Sequence, residues 1–156
     1  MLIRMLAVGT RMPAWVEAGV EDYTRRLGPE LRMQIDELAL GRRAANDNSA
    51  RAVADEGKRM LAAIDARDYV VALDVTGRSF GTAQLAKWLG ERMGEGREVV
   101  FLVGGPDGLA AECLARANLR LSLSAFTLPH ALVRVVLAEQ IYRAQSILKN
   151  HPYHRA

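Results

Sequence analysis

Cysteine is almost missing from this chain. Cys113 is the single one in 156 residues, so no internal disulfide can form, and its apolar helical neighbours mark it as a small core residue and not a nucleophile. Histidine is scarce as well: the pair His151 and His154 has no further Cys/His cluster to complete a coordination shell, which speaks against a metal centre. No run approaches the roughly 20 apolar residues of a membrane span. The apolar start MLIRMLAVGTRMP contains Arg4 and no small-residue cleavage pattern, so it reads as a first strand, not a signal peptide, and a cytoplasmic setting with no membrane contact is expected. Internal repeats and linkers are absent too, and residues 1–156 read as one domain, large enough to bury about two thirds of its unfolded surface. With 50% hydrophobic and 25% charged residues the composition excludes a disordered or collagen-like chain.

What is present begins with a mild basic excess, a formal charge of +3 and a pI near 9.3. That is compatible with a polyanionic partner without requiring one. Arg25-Arg26, Arg42-Arg43 and the tail residues Lys149, His151, His154 and Arg155 could reach phosphates if the fold gathers them, and scattered solvated charge explains them equally well.

In chain order, residues 2–8 are an apolar, β-compatible run closed by Gly9 and Thr10. Pro13 suits the first turn of a helix reaching about residue 27, with Trp15, Val16, Val20 and Tyr23 as its apolar stripe. Leu31, Met33 and Ile35 alternate with Arg32, Gln34 and Asp36 in the period of two of a half-buried edge strand. The polar stretch 42–48 is the expected mobile loop, and Ser49 is placed to cap a helix to about residue 64. Residues 69–73 and 99–103 are continuous apolar runs, the pattern of strands covered on both faces, and Asp74 stands at the carboxyl end of the first. Between them Thr82 is placed to cap a helix carrying Leu85, Trp88 and Leu89 at core spacing. A short helix over 109–117 and a fifth strand over 119–123 follow. Strands alternating with helices at this spacing give an α/β fold, a mostly parallel sheet of five or six strands flanked by helices on both faces. Ligands in such sheets bind beyond the carboxyl ends of the strands, here Asp74, Gly104-Gly105 and residues 122–124.

The stretch 121–134, LSLSAFTLPHALVR, changes from strand to hydroxyl-rich turn to helix within a few residues. Ser122, Ser124 and Thr127 offer hydrogen bonds without bulk, as a purine or ribose site does, although capping alone explains Thr127. Pro129 keeps Leu128 extended. Arg134 opposes the helix macrodipole in a first turn, which suits an anionic ligand or, alternatively, a local salt bridge. GGPDG at 104–108 lacks the Lys-Ser/Thr of a P-loop and is not G-x-G-x-x-G; its glycines allow close backbone approach, and a plain tight turn is equally consistent. The helix from His130 to about residue 149 is apolar around most of its circumference and asks for two buried faces, one on the sheet and the other against a second copy. A helix buried within the monomer is the competing explanation. In the tail, an aromatic ring between two imidazoles and a guanidinium suits an unpaired base and its phosphate, against the ordinary alternative of a frayed terminus.

Taken together, Leu6-Ala7-Val8-Gly9-Thr10, GGPDG, SLSAFTLPH, the Leu132-Val133-Arg134 helix start and NHPYHR resemble, over the whole chain, the RlmH family, small SPOUT-class methyltransferases of bacterial large-subunit ribosomal RNA. Phe126 and the final Ala156 are its minor departures. The resemblance implies a homodimer whose carboxyl half is a trefoil knot. It implies S-adenosyl-L-methionine as cofactor, S-adenosyl-L-homocysteine as product, and contacts from Leu73, Gly104, Gly105, Leu123, Ser124, Ala125, Phe126, Thr127 and Leu128. The implied reaction is methylation of N3 of a pseudouridine in 23S ribosomal RNA; with no spare domain for RNA in the chain, a preformed surface on the assembled ribosome, read across both subunits, is the expected substrate.

Methyl transfer is a displacement, so alignment and water exclusion are the main demands, while an imide N–H must also lose its proton. His130 or His154 is expected to assist that loss, since histidine's ordinary pKa lies near neutrality, and Arg134 to stabilise developing charge. Arg134, His151, Tyr153, His154 and Arg155 are the expected RNA contacts. Two other classes fit less of the sequence: a non-catalytic RNA- or ribosome-binding dimer that has kept the fold, and an unrelated nucleotide-binding α/β enzyme.

Overall fold

The computed structural model describes residues 1–43, 45 and 49–155. The expected mobile loop 42–48 therefore falls largely outside the described residues, as does Ala156. The elements are β1 (Leu2–Val8), α1 (Ala14–Thr24), β2 (Arg32–Leu38), α2 (Ala50–Ala62), β3 (Tyr69–Ser79), α3 (Thr82–Met93), β4 (Val99–Val103), α4 (Ala111–Arg116), β5 (Leu119–Ser122), α5 (His130–Leu148) and a closing 3-10 turn (Pro152–His154).

Five strands form one sheet in the order β2-β1-β4-β3-β5, and every neighbouring pair is parallel. The alternation of side chains builds a core on each face. Ile3, Met5, Val99 and Phe101 face α3 and α5, where Leu85, Trp88, Leu89, Leu137 and Ile141 meet them. Leu6, Val8, Val100 and Leu102 face α2 and α4 through Met60, Ala110 and Cys113. Cys113 is fully buried, and burial pushes its thiol pKa up, as fits a core position. Among the described residues no helix is long and apolar enough to cross a membrane, and no group of three His, Cys, Asp or Glu could hold a metal ion.

Four local expectations are corrected. Trp15 is 58% exposed: Val16 supplies the buried contact of α1, and Gly19 lets Val135 of α5 close to 3.2 Å of the position a Cβ would take. Thr82 does not cap α3; Gly81 takes that place, and the Thr82 hydroxyl hydrogen-bonds Gln140 on α5 at 2.9 Å. Ser49 sits at the start of α2 in helical geometry without a side-chain cap bond. Finally β3 does not stop at Leu73. It pairs Leu73 with Leu121, lets residues 74–77 swing out, and resumes with Arg78 against the same Leu121. The excursion returns tightly, since a Cβ on Gly77 would lie 2.7 Å from the Arg120 carbonyl carbon.

On the same side of the sheet, α5 lies between α1 and α3. It buries Arg134, Leu137, Ala138, Ile141 and Ala144, while Leu132, Val133, Val135 and Val136 stay half-buried. Part of its second apolar face is thus covered within the chain by its neighbouring helices, as the competing explanation held.

Candidate functional site

The strand ends that the sequence singled out meet in a cavity of about 560 Å³. Its walls come from Leu73 to Val75 where β3 swings out of its pairing with β5, from Val103 and the turn to α4, and from the segment between β5 and α5. Of the residues expected to hold a cofactor, Leu73, Gly104, Gly105, Leu123, Ser124, Phe126, Thr127 and Leu128 line it, whereas Ala125 does not. β4 ends at Val103 and β5 at Ser122, β3 leaves its pairing after Leu73, and Asp74 and Val75 of its outward swing line the space beyond. The glycine turn closes on itself: Gly108 donates its N–H to the Gly105 carbonyl at 3.2 Å, and a Cβ on Gly104 would fall 2.7 Å from the Gly108 carbonyl carbon. At Gly104, Gly105 and Gly108 that wall is main chain, and Pro106 and Asp107 stand between them.

The segment 122–129 is held open by its own small side chains. The Ser122 hydroxyl donates to the Ser124 carbonyl at 3.1 Å, and Phe126 N–H donates to the Ser124 hydroxyl oxygen at 2.9 Å, which turns the chain and leaves Phe126 81% exposed at the cavity. Pro129, extended at φ −62° and ψ 144°, occupies the N-cap position of α5 without a side-chain cap bond, so Thr127 is not a cap and lines the cavity instead. His130 completes this wall.

Arg134, one turn on, faces elsewhere. It is 3% exposed, its Nη1 donates to Glu37 Oε2 at 2.7 Å, and its Nη2 donates to the Gly9 carbonyl at 2.8 Å, while its buried Nε has no hydrogen-bond partner. Gly9 makes this possible with φ +116°, which side-chain-bearing residues rarely adopt. Arg134 and Glu37 border a second groove of about 260 Å³ between α1 and β2. The local salt bridge considered for Arg134 is therefore what the fold supplies.

The tail residues lie apart from the cavity. Asn150 ends α5 in the left-handed region at φ 55°, and His151 N–H returns to the Ser146 carbonyl at 2.7 Å. His151 Nδ1 accepts the Tyr153 N–H at 3.2 Å and starts the closing turn. Tyr153 then packs on Tyr142, with ring centroids 4.6 Å apart, and under the Arg143 guanidinium at 4.8 Å, while Arg143 pairs with Glu139. His154 has a buried Nδ1 without a partner, and Arg155 is exposed. Neither histidine of the tail, nor Tyr153 or Arg155, borders the cavity, which sits at the other end of α5.

Sequence reasoning missed Glu37 and the partners of Arg43. Glu37 carried a signal: it continues the inward phase of Met33 and Ile35, where a carboxylate calls for a buried cation. Arg43, grouped with Arg42 as a candidate for phosphate contact, is instead held by Asp107 and Glu56. Nothing in its own neighbourhood of sequence points to partners so distant.

Comparison with known proteins agrees with this geometry. A family described as predicted SPOUT methyltransferase matches residues 1–154. The ribosomal RNA large subunit methyltransferase H of Saccharophagus degradans is 51% identical over 155 residues, covering 99% of this chain and 100% of that protein. The protein of the same description from Thioalkalivibrio sulfidiphilus is 52% identical, with 99% of both chains covered. A solved structure of a methylase family protein from Neisseria gonorrhoeae superposes with a TM-score of 0.55 at 16% identity, over 90% of this chain and 81% of that one, a likeness of fold alone.

Proposed function

We propose, from the premise that this chain belongs to the SPOUT methyltransferase family, a working arrangement for a methyltransferase of large-subunit ribosomal RNA. That activity is the one its full-length relatives are named for. The finer reading is that S-adenosylmethionine is the donor, that N3 of a pseudouridine in 23S ribosomal RNA is the acceptor, and that the enzyme is a cytoplasmic homodimer with a trefoil-knotted carboxyl half that acts on assembled ribosomes.

The observation that carries the cofactor reading is the 560 Å³ cavity itself, within the range of small-molecule sites. Its residues fit the donor. Leu73, Leu123, Leu128 and Val133 offer apolar walls to an adenine, Ser124 and Thr127 offer hydroxyls, and Gly104 and Gly105 offer main chain. The acidic side chain of Asp74, which lines the cavity, suits a cationic donor. When bound, the donor supplies an electrophilic methyl group. The chain's own task is to fix that group, exclude water with the apolar walls, and hold the acceptor nitrogen in line. His130, at the cavity wall beside Gly9, would accept the imide proton.

The separation of tail and cavity supports the dimer. Tyr153 is anchored at Glu139, nine residues along α5 from His130 and so about 13 Å away along the axis. A tail held there does not reach its own cavity, whereas a two-fold partner can bring its tail to this one. His151, His154 and Arg155 would then contact RNA at the partner's site, and Arg134 would support that site through Gly9.

The test is transfer of a tritiated methyl group to ribosomes that lack the modification, followed by mapping of the labelled nucleotide. Label at N3 of one pseudouridine is expected. A label elsewhere would overturn the acceptor assignment, and S-adenosylmethionine that leaves the melting temperature unmoved would overturn the cofactor reading in favour of a non-catalytic RNA-binding dimer.

A further inference from the structure

The glycine wall of the cavity is braced from the far side of the chain. Asp107, in the turn between β4 and α4, accepts the Arg43 Nε–H at 2.9 Å across 64 residues of sequence. Arg43 is itself gripped twice more. Its Nη1 donates to Glu56 Oε2 at 2.9 Å and to the Gly41 carbonyl at 3.1 Å, and its Nη2 donates to Glu56 Oε1 at 3.4 Å.

The anchor is Glu56, on α2 and only 2% exposed. Its Oε2 also accepts the Gly41 N–H at 2.8 Å, so one buried carboxylate fixes both the main chain before Arg43 and its guanidinium. Gly41 sits flush on the same helix: a Cβ there would lie 2.3 Å from the Ala52 carbonyl oxygen. A planar fork held by two donors to Glu56 has little freedom left, and its remaining Nε–H points at Asp107.

The turn that Asp107 belongs to presents main chain to the cavity at Gly104 and Gly105. Gly104, Gly105 and Gly108 have no side chains to wedge this wall in place, which leaves the task to Pro106 and Asp107. Binding is strongest where the receptor is already in its bound shape, so whatever fixes this turn acts on affinity without touching the ligand.

We propose that Arg43 is a positioning residue for donor binding, carrying the fixed place of buried Glu56 across to Asp107 and thereby setting the glycine wall of the cavity. The inference rests on the reading that this cavity takes S-adenosylmethionine. Arg43 is then not one of the phosphate contacts, because its charge is matched by Glu56 and Asp107 and four of its five N–H donors are held by Glu56, Gly41 and Asp107.

Calorimetric titration of S-adenosylmethionine and S-adenosylhomocysteine tests it in the full chain, the R43A, R43K and D107N variants, and the R43A/D107N pair. R43A and D107N should each raise both dissociation constants by about three- to thirtyfold, and the pair should be no weaker than R43A, because both variants break the same Arg43–Asp107 contact. R43K should recover only part of the loss, since an ammonium cannot reproduce the fork. In transfer assays KM for the donor should rise with kcat held within about twofold at saturation. D107N leaves the Arg43–Glu56 pair intact and keeps the test valid if R43A folds poorly. Unchanged binding in D107N, or losses that add in the pair, would overturn the proposal while the unaltered chain still binds both ligands. If the unaltered chain binds neither, the cofactor reading falls and takes this inference with it.

Discussion

The Tyr153 hydroxyl donates to Glu139 Oε1 at 3.0 Å, tying the closing turn of the chain to the middle of the helix that precedes it. Burial, then the bond to Glu139 and the neighbouring Tyr23, raise the Tyr153 pKa from 10.0 to about 12. The folded chain therefore holds this proton more tightly than the unfolded one. The stabilisation is complete below about pH 10 and is lost as pH rises towards 12. Of the 4 tyrosines, one should ionise late in a phenolate absorbance titration of the native protein, and Tyr153→Phe should remove that step.

Glu37→Gln should lower stability by about 1–3 kcal/mol, because it leaves the buried Arg134 guanidinium without its counter-ion. The lower end is expected, since the Glu37 side chain is itself 35% exposed. Urea midpoints measure this directly. An unchanged midpoint would mean that Arg134 does not depend on Glu37, and would return it to the residues available for RNA.

Gly57→Ala should destabilise although it improves helix propensity. The gain in α2 is about 1 kcal/mol, but the new Cβ would lie 2.6 Å from the Ala110 Cβ at the start of α4, and overpacking typically costs about 1–3 kcal/mol. A net loss of about 1 kcal/mol is expected. Adding Ala110→Gly to Gly57→Ala should recover most of it, which thermal unfolding of both variants would show.

His130→Ala should slow single-turnover methylation by about a hundredfold at neutral pH, the ordinary share of a positioned proton acceptor. If His154 is the RNA contact proposed above, His154→Ala should raise the KM for ribosomes more than it lowers the single-turnover rate. If both variants kept the wild-type single-turnover rate, base catalysis by histidine would be abandoned and positioning alone would remain.

Much of the fold was legible because its strands obey simple periodicities. The uninterrupted runs at 69–73 and 99–103 are apolar since both faces are covered, and β2 alternates because it is an edge. The cavity was legible for a related reason: parallel strands end together, and Gly104, Ser122 and Ser124 stand where they end. What periodicity could not give were contacts between distant stretches. Thr82 has every local mark of a cap, yet its hydroxyl goes to Gln140; Trp15 continues an apolar stripe that Val16 and Gly19 already complete. The return of β3 at Arg78 was hidden because residues 74–77 read as the end of a strand.

α5 is also a ruler. Its first residue borders the cavity and its middle anchors the tail at Glu139, so the spacing between these two stations is set by the count of residues between 130 and 139. One inserted residue would swing the tail by about 100° and lengthen the interval by about 1.5 Å. Seven would restore the angle to within about 20° while displacing the tail by about 10 Å. Length changes within this interval are thus errors of phase or of reach, and neither can be absorbed by a helix clamped between α1 and α3.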